Sequence, residues 1–285
     1  MKFFTKLAAA AAISLAFIGT ASAGAVLNNW KFNPVGTGSA TAQTINEYLD
    51  VNGNAFIQLN ATSASTFNFT EHAVFNISQA DSNGQLFPVN FSGGNISATF
   101  EAYGSGNFSG AFGFSGGTIK MFQNSTNQYG TTAGIYGANL GTMIAEFSVL
   151  PGGGGLVDGS GNPISNGQIT VFAKAITPGG LKSGYFFRGN NTDLSGEDIL
   201  SFAFTNANGV ASLNPNLISE VACEFSHYTG PGCSSGTYKN VAGDHFFVSN
   251  NGQFKLAEVP EPGSLALFGL AILGAGVVSR KRKQA

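Results

Sequence analysis

Charged residues are scarce in this sequence. Its 285 residues include 13 Lys and Arg and 15 Asp and Glu, or 10% of the chain, where an ordinary soluble domain has about 25%. So few charges exclude a disordered polyelectrolyte, and the net charge of −2 excludes the basic surface of a nucleic-acid binder. The 40 glycines have no three-residue period, which excludes collagen. Ordinary cytosolic enzymes are seldom so poor in charge and so rich in Gly, Asn, Ser and Phe.

Recognisable catalytic patterns are also lacking. The three histidines, at 72, 227 and 245, form no i, i+4 or His-Glu-x-x-His pair, so zinc catalysis has no support. Gly-x-Ser-x-Gly occurs at 113–117 and 232–236, without the strand-then-helix context that a nucleophile elbow needs. Glycoside hydrolysis needs two facing carboxylates, and no spacing singles out a pair. The acidic residues available for such a pair are Glu71, Glu101, Glu146, Glu197, Asp198, Glu220 and Glu224. The sequence therefore predicts a protein that is not an enzyme.

The N-terminus has the pattern of a secretory signal. Lys2 and Lys6 precede an apolar run of 12 residues at 7–18, and Ala21 and Ala23 then form an Ala-x-Ala cleavage site. The apolar run is too short for a permanent membrane helix. We expect a signal peptide at 1–23, cleaved after Ala23.

The C-terminus combines a Pro-rich motif, a short apolar run and a basic cluster. The run at 265–278 has 14 residues, about 21 Å as a helix against a bilayer core of about 30 Å. Positive charges stay in the cytoplasm, so we expect the bulk of the chain outside the inner membrane. The motif is Val259, Pro260, Glu261 and Pro262, and the basic tail is Arg280, Lys281, Arg282 and Lys283.

These three features, in this order, closely resemble the PEP-CTERM sorting signal of Gram-negative bacteria that make exopolysaccharide. The resemblance implies export through the Sec translocon and the inner membrane. Exosortase would then recognise Pro260-Glu261-Pro262, cleave near it, and pass the chain to the cell surface or matrix. A plain C-terminal anchor after a Pro-rich linker is the alternative. The segments 29–34 and 47–50 further resemble flocculation-associated PEP-CTERM proteins, which implies exopolysaccharide as a partner.

The segment between the two ends, the exported domain at 24–258, is acidic. Without the six terminal basic residues and Glu261 it retains seven basic and fourteen acidic residues, a net charge of −7. This charge argues against nucleic acid and anionic lipid as partners. Cys223 and Cys233 are the only cysteines, and nine residues with Gly230-Pro231-Gly232 lie between them. Because export favours oxidation, we predict a disulfide between them.

Hydrophobic residues recur with a period of two, as in Thr66–Thr70 and Ser201–Thr205, which predicts strands. Asn-Gly and Asp-Gly pairs, among them Asn52-Gly53, Asn208-Gly209 and Asn251-Gly252, indicate turns between them. We therefore predict an all-β fold, an antiparallel β-sandwich or jelly roll, rather than a solenoid, since no fixed repeat occurs. Short helices fit only 42–49 and 191–200. The predicted strands are 54–60, 66–77, 85–91, 95–102, 107–114, 117–123, 142–150, 168–176, 183–188, 199–205, 219–225, 244–249 and 253–257.

Two Asx-rich segments weakly resemble the start of a calcium loop: Asp50, Asn52 and Asn54 in one, and Asp158 with Ser160 and Asn162 in the other. Both lack the Gly at position six and the acid at position twelve that an EF-hand needs. We expect hairpin turns there and no cofactor, with a weak calcium site left open.

Together these features predict an exported surface or matrix protein that acts non-catalytically in exopolysaccharide-associated aggregation. Polar strand faces would contact polysaccharide through many weak hydrogen bonds, and carboxylates would add divalent-ion bridges. The alternatives are a secreted polysaccharide-active enzyme on a β-sandwich scaffold and a passive surface-layer component.

Overall fold

The computed structural model describes residues 26–46, 48–80, 94–164, 167–176, 179–210 and 212–259. The predicted signal peptide with Ala21 and Ala23, the predicted strand 85–91 and the sorting signal beyond Val259 lie outside these residues. The chain divides into two units, residues 27–257 and the two terminal segments 1–26 and 258–285. The first unit contains the fold described below. Of the second, only Val26, Glu258 and Val259 are described.

The regular secondary structure of the first unit is almost all antiparallel strand. A 3₁₀ turn lies at Ser39–Thr41, and an α-helical turn, α1 (Pro215–Leu217), continues into a π-helical segment (Ile218–Phe225). The strands are β1 (Trp30–Phe32), β2 (Gln43–Ile45), β3 (Leu49–Ala61), β4 (Thr66–Ala80), β5 (Asn95–Asn107), β6 (Ala111–Asn124), β7 (Thr142–Val149), β8 (Gly152–Leu156), β9 (Gly167–Ala175), β10 (Phe186–Phe187), β11 (Ile199–Gly209) and β12 (His245–Glu258).

The large sheet closes on itself. Its order is β11-β12-β3-β4-β5-β6-β7-β9-β8, and β11 also pairs with β9, over eight registered residue pairs from Leu200↔Lys174 to Ala207↔Gly167. Eight strands therefore form a ring, and β8 is inserted between β6 and β9. The predicted all-β antiparallel class is confirmed, and the predicted sandwich is approximated by a single sheet that closes on itself.

Alternation of side chains explains the interior of this closed sheet. On β4, Phe67, Phe69, Ala73 and Ile77 are buried, while the intervening Asn68 and Thr70 are exposed. Side chains two apart lie on the same face of a strand, so the odd-numbered residues of β4 point inward. They pack with inward residues of the other strands, including Phe100, Phe114 and Val171. Burying each large side chain contributes about 1.5–3 kcal/mol to folding.

One end of the closed sheet is filled by a three-stranded sheet, β10-β1-β2. Trp30 and Phe32 of β1 and Phe186 of β10 are fully buried, and the Trp30 and Phe186 rings stack at 6.2 Å. They join the core at the strand ends on that side, such as Leu49 and Leu256. The segment 29–34, which suggested a flocculation-type protein, therefore has a structural role.

The predicted strand 219–225 is wrong, because these residues belong to the helical segment 215–225, hereafter the cap helix. Its buried residues Leu217, Val221 and Ala222 have the i, i+4, i+5 spacing of one helical face. This face packs on the outer surface of the sheet, against Phe56 and Phe247. The predicted disulfide is present: Cys223 at the end of the cap helix is bonded to Cys233, with their Cα atoms 5.5 Å apart.

Several strand boundaries also differ from the prediction. The pairs expected as turns at 52–53, 208–209 and 251–252 lie within or at the end of long strands. The predicted strands 244–249 and 253–257 therefore form one strand, β12, and 107–114 and 117–123 are replaced by β6. The predicted strand 183–188 shrinks to Phe186–Phe187. Neither proposed helix forms: 42–49 contains β2, and Asp193 accepts hydrogen bonds from the backbone of Gly184 and Ser195 in a turn.

Candidate functional site

The outer face of the sheet carries an open groove of about 460 Å³ that is lined mainly by asparagines; we call it the amide groove. It crosses β4, β3, β12 and β11. Its lining residues are Asn52, Gly53, Asn54, Asn76, Tyr129, Asn206, Asn208, Ser249, Asn250 and Asn251.

Strand register explains why these amides lie together. Asn251 of β12 is opposite Asn52 of β3, and Asn52 is in turn opposite Asn76 of β4. Directly opposed residues share a face of the sheet, so these three side chains form a row across the outer surface. Ser249 and Asn54 form the next row. The Asn-Gly pairs, predicted as turns, are thus the residues that build the groove.

The groove offers hydrogen-bonding groups and no charge. Each Asn amide has one acceptor oxygen and two donor hydrogens. Asn251 Nδ2 donates to Asn52 Oδ1 at 2.6 Å, and the buried Asn76 Oδ1 has no partner. Tyr129 contributes a ring to the wall and is held in place because its hydroxyl donates to the Val74 carbonyl at 3.2 Å. Burial raises the pKa of Tyr129, so its hydroxyl stays neutral.

A second groove, of about 490 Å³, adjoins the first and shares Asn206 and Asn251 with it. It adds the rings of Tyr48 and Phe204 and the carboxylate of Asp50. Burial raises the pKa of Asp50. The two grooves form one continuous strip of amides flanked by aromatic rings.

The two segments that suggested calcium loops have other structures. Asp50, Asn52 and Asn54 lie within β3, so they follow a straight strand instead of wrapping around an ion. Asp158 closes an Asx turn, in which its Oδ1 accepts from the backbone of Ser160 at 2.8 Å and of Asn162 at 3.0 Å. Within the described ranges, no group of three or more His, Cys, Asp or Glu could hold a metal ion.

The acidic residues considered for hydrolysis are dispersed. Three of them form ion pairs: Glu146 with Lys120, Asp198 with Lys174, and Glu197 with Arg188. Glu220 and Glu224 are neighbours on the cap helix, where burial and the nearby Glu224 raise the pKa of Glu220. Glu101 is exposed on β5, whereas Glu71 is buried in the interior. Among the residues that line the two grooves, Asp50 is the sole carboxylate.

One hydrogen-bonded chain beside the cap helix has the residue types of a catalytic relay. Asp244 Oδ2 is 3.0 Å from His245 Nδ1, and His245 Nε2 is 3.0 Å from the Tyr228 hydroxyl. A nucleophile needs a depressed pKa or an available base, but burial and Asp244 raise the pKa of Tyr228. The ring of Tyr228 also packs 5.3 Å from Phe56. The chain therefore anchors the 226–241 segment against the sheet.

The other histidines and the Gly-x-Ser-x-Gly serines have structural positions. His72 packs 4.8 Å from the Phe225 ring, and its pKa is lowered by burial and by the nearby His227. Ser115 lies within β6, and Ser234 lies in the disulfide loop, where its hydroxyl donates to the Gly230 carbonyl.

Comparison with known families identifies one signal. Residues 258–283 match the PEP-CTERM protein-sorting motif. The predicted sorting signal is thereby confirmed, and the motif indicates an exported protein that exosortase sorts through the inner membrane to the cell surface or extracellular space of a Gram-negative bacterium. No curated protein and no solved structure matches the chain. In the described part of the chain, no helix has the length and apolarity needed to span a membrane.

Proposed function

We propose that this exported protein acts non-catalytically in exopolysaccharide-associated aggregation, as in floc or biofilm formation, by binding matrix polysaccharide in the amide groove. The observation that carries the proposal is the row of outward asparagines that strand pairing brings together on β12, β3 and β4. The sorting motif supports it, because it delivers the chain to the compartment where such polymers occur.

The chemistry of the groove favours a neutral stretch of saccharide. Sugar hydroxyls donate and accept hydrogen bonds, and each amide side chain does both. The amide groove contains no charged side chain, so a uronic acid carboxylate would find no cationic partner there. Beside it, the ring of Phe204 offers an apolar face for the C–H face of a sugar ring, whereas the Tyr48 ring has the Lys255 ammonium 5.5 Å above it.

We expect the affinity of one protein molecule for the polysaccharide to be low and the avidity of many molecules on one polymer to be high. Hydrogen bonds that replace bonds to water contribute only about 0.5–1.5 kcal/mol each. A polysaccharide repeats its unit, so many copies of the protein bind one polymer and the avidity exceeds the single-site affinity. Weak, repeated contacts of this kind suit a matrix protein better than a single tight site.

Deleting the gene tests the proposed role. We expect flocs or surface aggregates to be lost while the amount of secreted polysaccharide is unchanged. Normal aggregation in the deletion strain would refute the proposal. A fall in the chain length of the polymer when purified protein is added would support the enzyme alternative instead, and ordered self-assembly of the protein without polymer would support the surface-layer alternative.

A matched pair of variants tests the groove itself. Asn52→Ala with Asn251→Ala removes a cross-strand amide pair from the groove, whereas Asn60→Ala with Asn68→Ala removes an equally exposed cross-strand pair outside it. Each double variant is produced in the deletion strain, and its retention on isolated polysaccharide is measured. We expect retention to fall at least tenfold for Asn52→Ala with Asn251→Ala and to be unchanged for Asn60→Ala with Asn68→Ala. Equal behaviour of the two double variants would show that the groove is not the binding site.

A further inference from the structure

Glu71 lies inside the closed sheet, among apolar side chains. Its cross-strand neighbours are Ile57 on β3 and Ala102 on β5, and Phe69 and Ala73 flank it on the inner face of β4. Only 5% of Glu71 is exposed. Within the described part of the chain, its carboxyl group has neither a hydrogen bond nor an ion pair.

This carboxyl group borders two interior cavities. The larger, of about 60 Å³, is lined by inward residues from β4, β6, β12 and other strands of the closed sheet. The smaller, of about 20 Å³, lies beneath the 157–163 loop. Glu71 and Ile169 line both. The larger cavity has three polar lining residues, Glu71, Thr205 and Asn250, and its other lining residues are Val51, Phe75, Ile77, Ala98, Phe100, Phe114, Ile119, Met121, Ile169, Val171, Ala203 and Phe254.

We propose that the closed sheet holds one small ligand in this interior, a primary amine with one or two carbon atoms whose ammonium group pairs with the Glu71 carboxylate. The cavity lies on the inner face of the strands and the amide groove on the outer face, and Asn250 borders both.

The ligand class follows from what the cavity offers and lacks. The lining is apolar apart from the Glu71 carboxyl group, the Thr205 hydroxyl and the Asn250 amide, and no cationic side chain is among the lining residues. The ligand must therefore supply a positive charge for the carboxylate and hydrogen-bond donors for the unpaired acceptor oxygens. Asn250 Oδ1, also buried and without a partner, is a second acceptor in the same cavity. A carboxylic acid would place like charges together and is disfavoured.

The size follows from the volume. An apolar cavity of about 150 Å³ accepts benzene, which has six carbon atoms, so a cavity of about 60 Å³ has room for a ligand of only about two or three non-hydrogen atoms. Closed sheets of eight strands are known to have interiors just wide enough for one small ligand. The 157–163 loop covers the smaller cavity through Val157, Gly161 and Pro163.

The test uses the full exported protein, purified from its producing strain and titrated at pH 8 with methylamine, methanol and formate. We expect saturable binding of methylamine and binding at least tenfold weaker for the other two probes. Glu71→Gln is expected to weaken methylamine binding at least tenfold, and Ala203→Leu, which fills the cavity and keeps the carboxylate, to abolish it. Glu101→Gln, an exposed carboxylate on the adjacent strand, is the matched control and should bind as the unaltered protein does.

Three results would overturn the proposal: no saturable methylamine binding by the folded protein, equal binding by the Glu71→Gln protein, or equal affinity for methanol or formate. The last result would mean that the cavity selects apolar volume and not charge. Circular dichroism of each variant establishes that it is folded, so that a lost signal reports the site.

Discussion

The buried carboxyl group of Glu71 gives the sharpest prediction for stability. Burial raises the pKa of Glu71 from its ordinary value of 4.5 to about 7. Between these two values the folded protein keeps a proton that the unfolded chain has lost. The proton on Glu71 therefore favours folding most below about pH 4.5. This stabilisation decreases as the pH rises from about 4.5 to about 7, and above that range it is gone.

The magnitude follows from the size of this pKa difference. One pH unit is worth about 1.4 kcal/mol, so the buried carboxylate costs roughly 3 kcal/mol of unfolding free energy at pH 8. Gln has nearly the same shape and never ionises. We therefore expect Glu71→Gln to leave the stability at pH 4 nearly unchanged and to raise it by roughly 3 kcal/mol at pH 8.

Urea unfolding at a series of pH values measures this difference. Trp30 is the only tryptophan and is fully buried, so its fluorescence reports the loss of the core. Glu101→Gln serves as the control and should give a curve parallel to that of the unaltered protein. Parallel curves for Glu71→Gln as well, or a lower stability of that variant at pH 8, would refute the reasoning.

Three further predictions concern the surrounding framework. Cys223→Ser should lower the unfolding free energy by about 2–3 kcal/mol through the lost loop closure, and a reducing agent should reproduce the loss in the unaltered protein. Phe56→Ala should lower the unfolding free energy by about 3–5 kcal/mol, because Phe56 is fully buried and packs against the rings of Tyr228 and Phe247. Urea unfolding measures this loss, and a near-zero effect would contradict the packing. Hydrogen bonds from Gly184, Ser195 and Ser183 lower the pKa of Asp193, so Asp193→Asn should destabilise the protein at pH 7 and matter progressively less as the pH falls below about 4; an effect independent of pH would show that the charge is not involved.

Side-chain alternation predicted the class of fold because it depends only on the two faces of a strand. The inward residues of β4 were recognisable as Phe67 and Phe69, and the same period extended by two residues reaches Glu71. Glu71 was considered only as one member of a possible carboxylate pair, because the alternation was not extended through this residue. Closure of the sheet could not be predicted in this way, since the β9–β11 pairing joins residues about thirty positions apart.

Local signals failed where tertiary pairing outweighed them. Asn-Gly favours tight turns, yet Asn52-Gly53 lies within β3 and Asn251-Gly252 within β12. Asn251 is directly opposite Asn52, and the ladder keeps both strands extended. At the cap helix, by contrast, the local signal was correct and was overlooked. Its residues 219–225 were assigned to a strand, although Leu217, Val221 and Ala222 already have helical spacing.

The two candidate sites lie where local preferences and the fold disagree. Asn is unfavourable in strands, and the outer face of β3, β4 and β12 nevertheless carries a row of them at Asn52, Asn76 and Asn251. An ionisable group is unfavourable in an apolar interior, and Glu71 occupies one. Sequences that specify a fold are consistent at most positions, and departures are expected at functional positions. By this criterion the amide groove and the Glu71 cavity are two places in the described part of the chain where a ligand would recover what the free protein loses in stability.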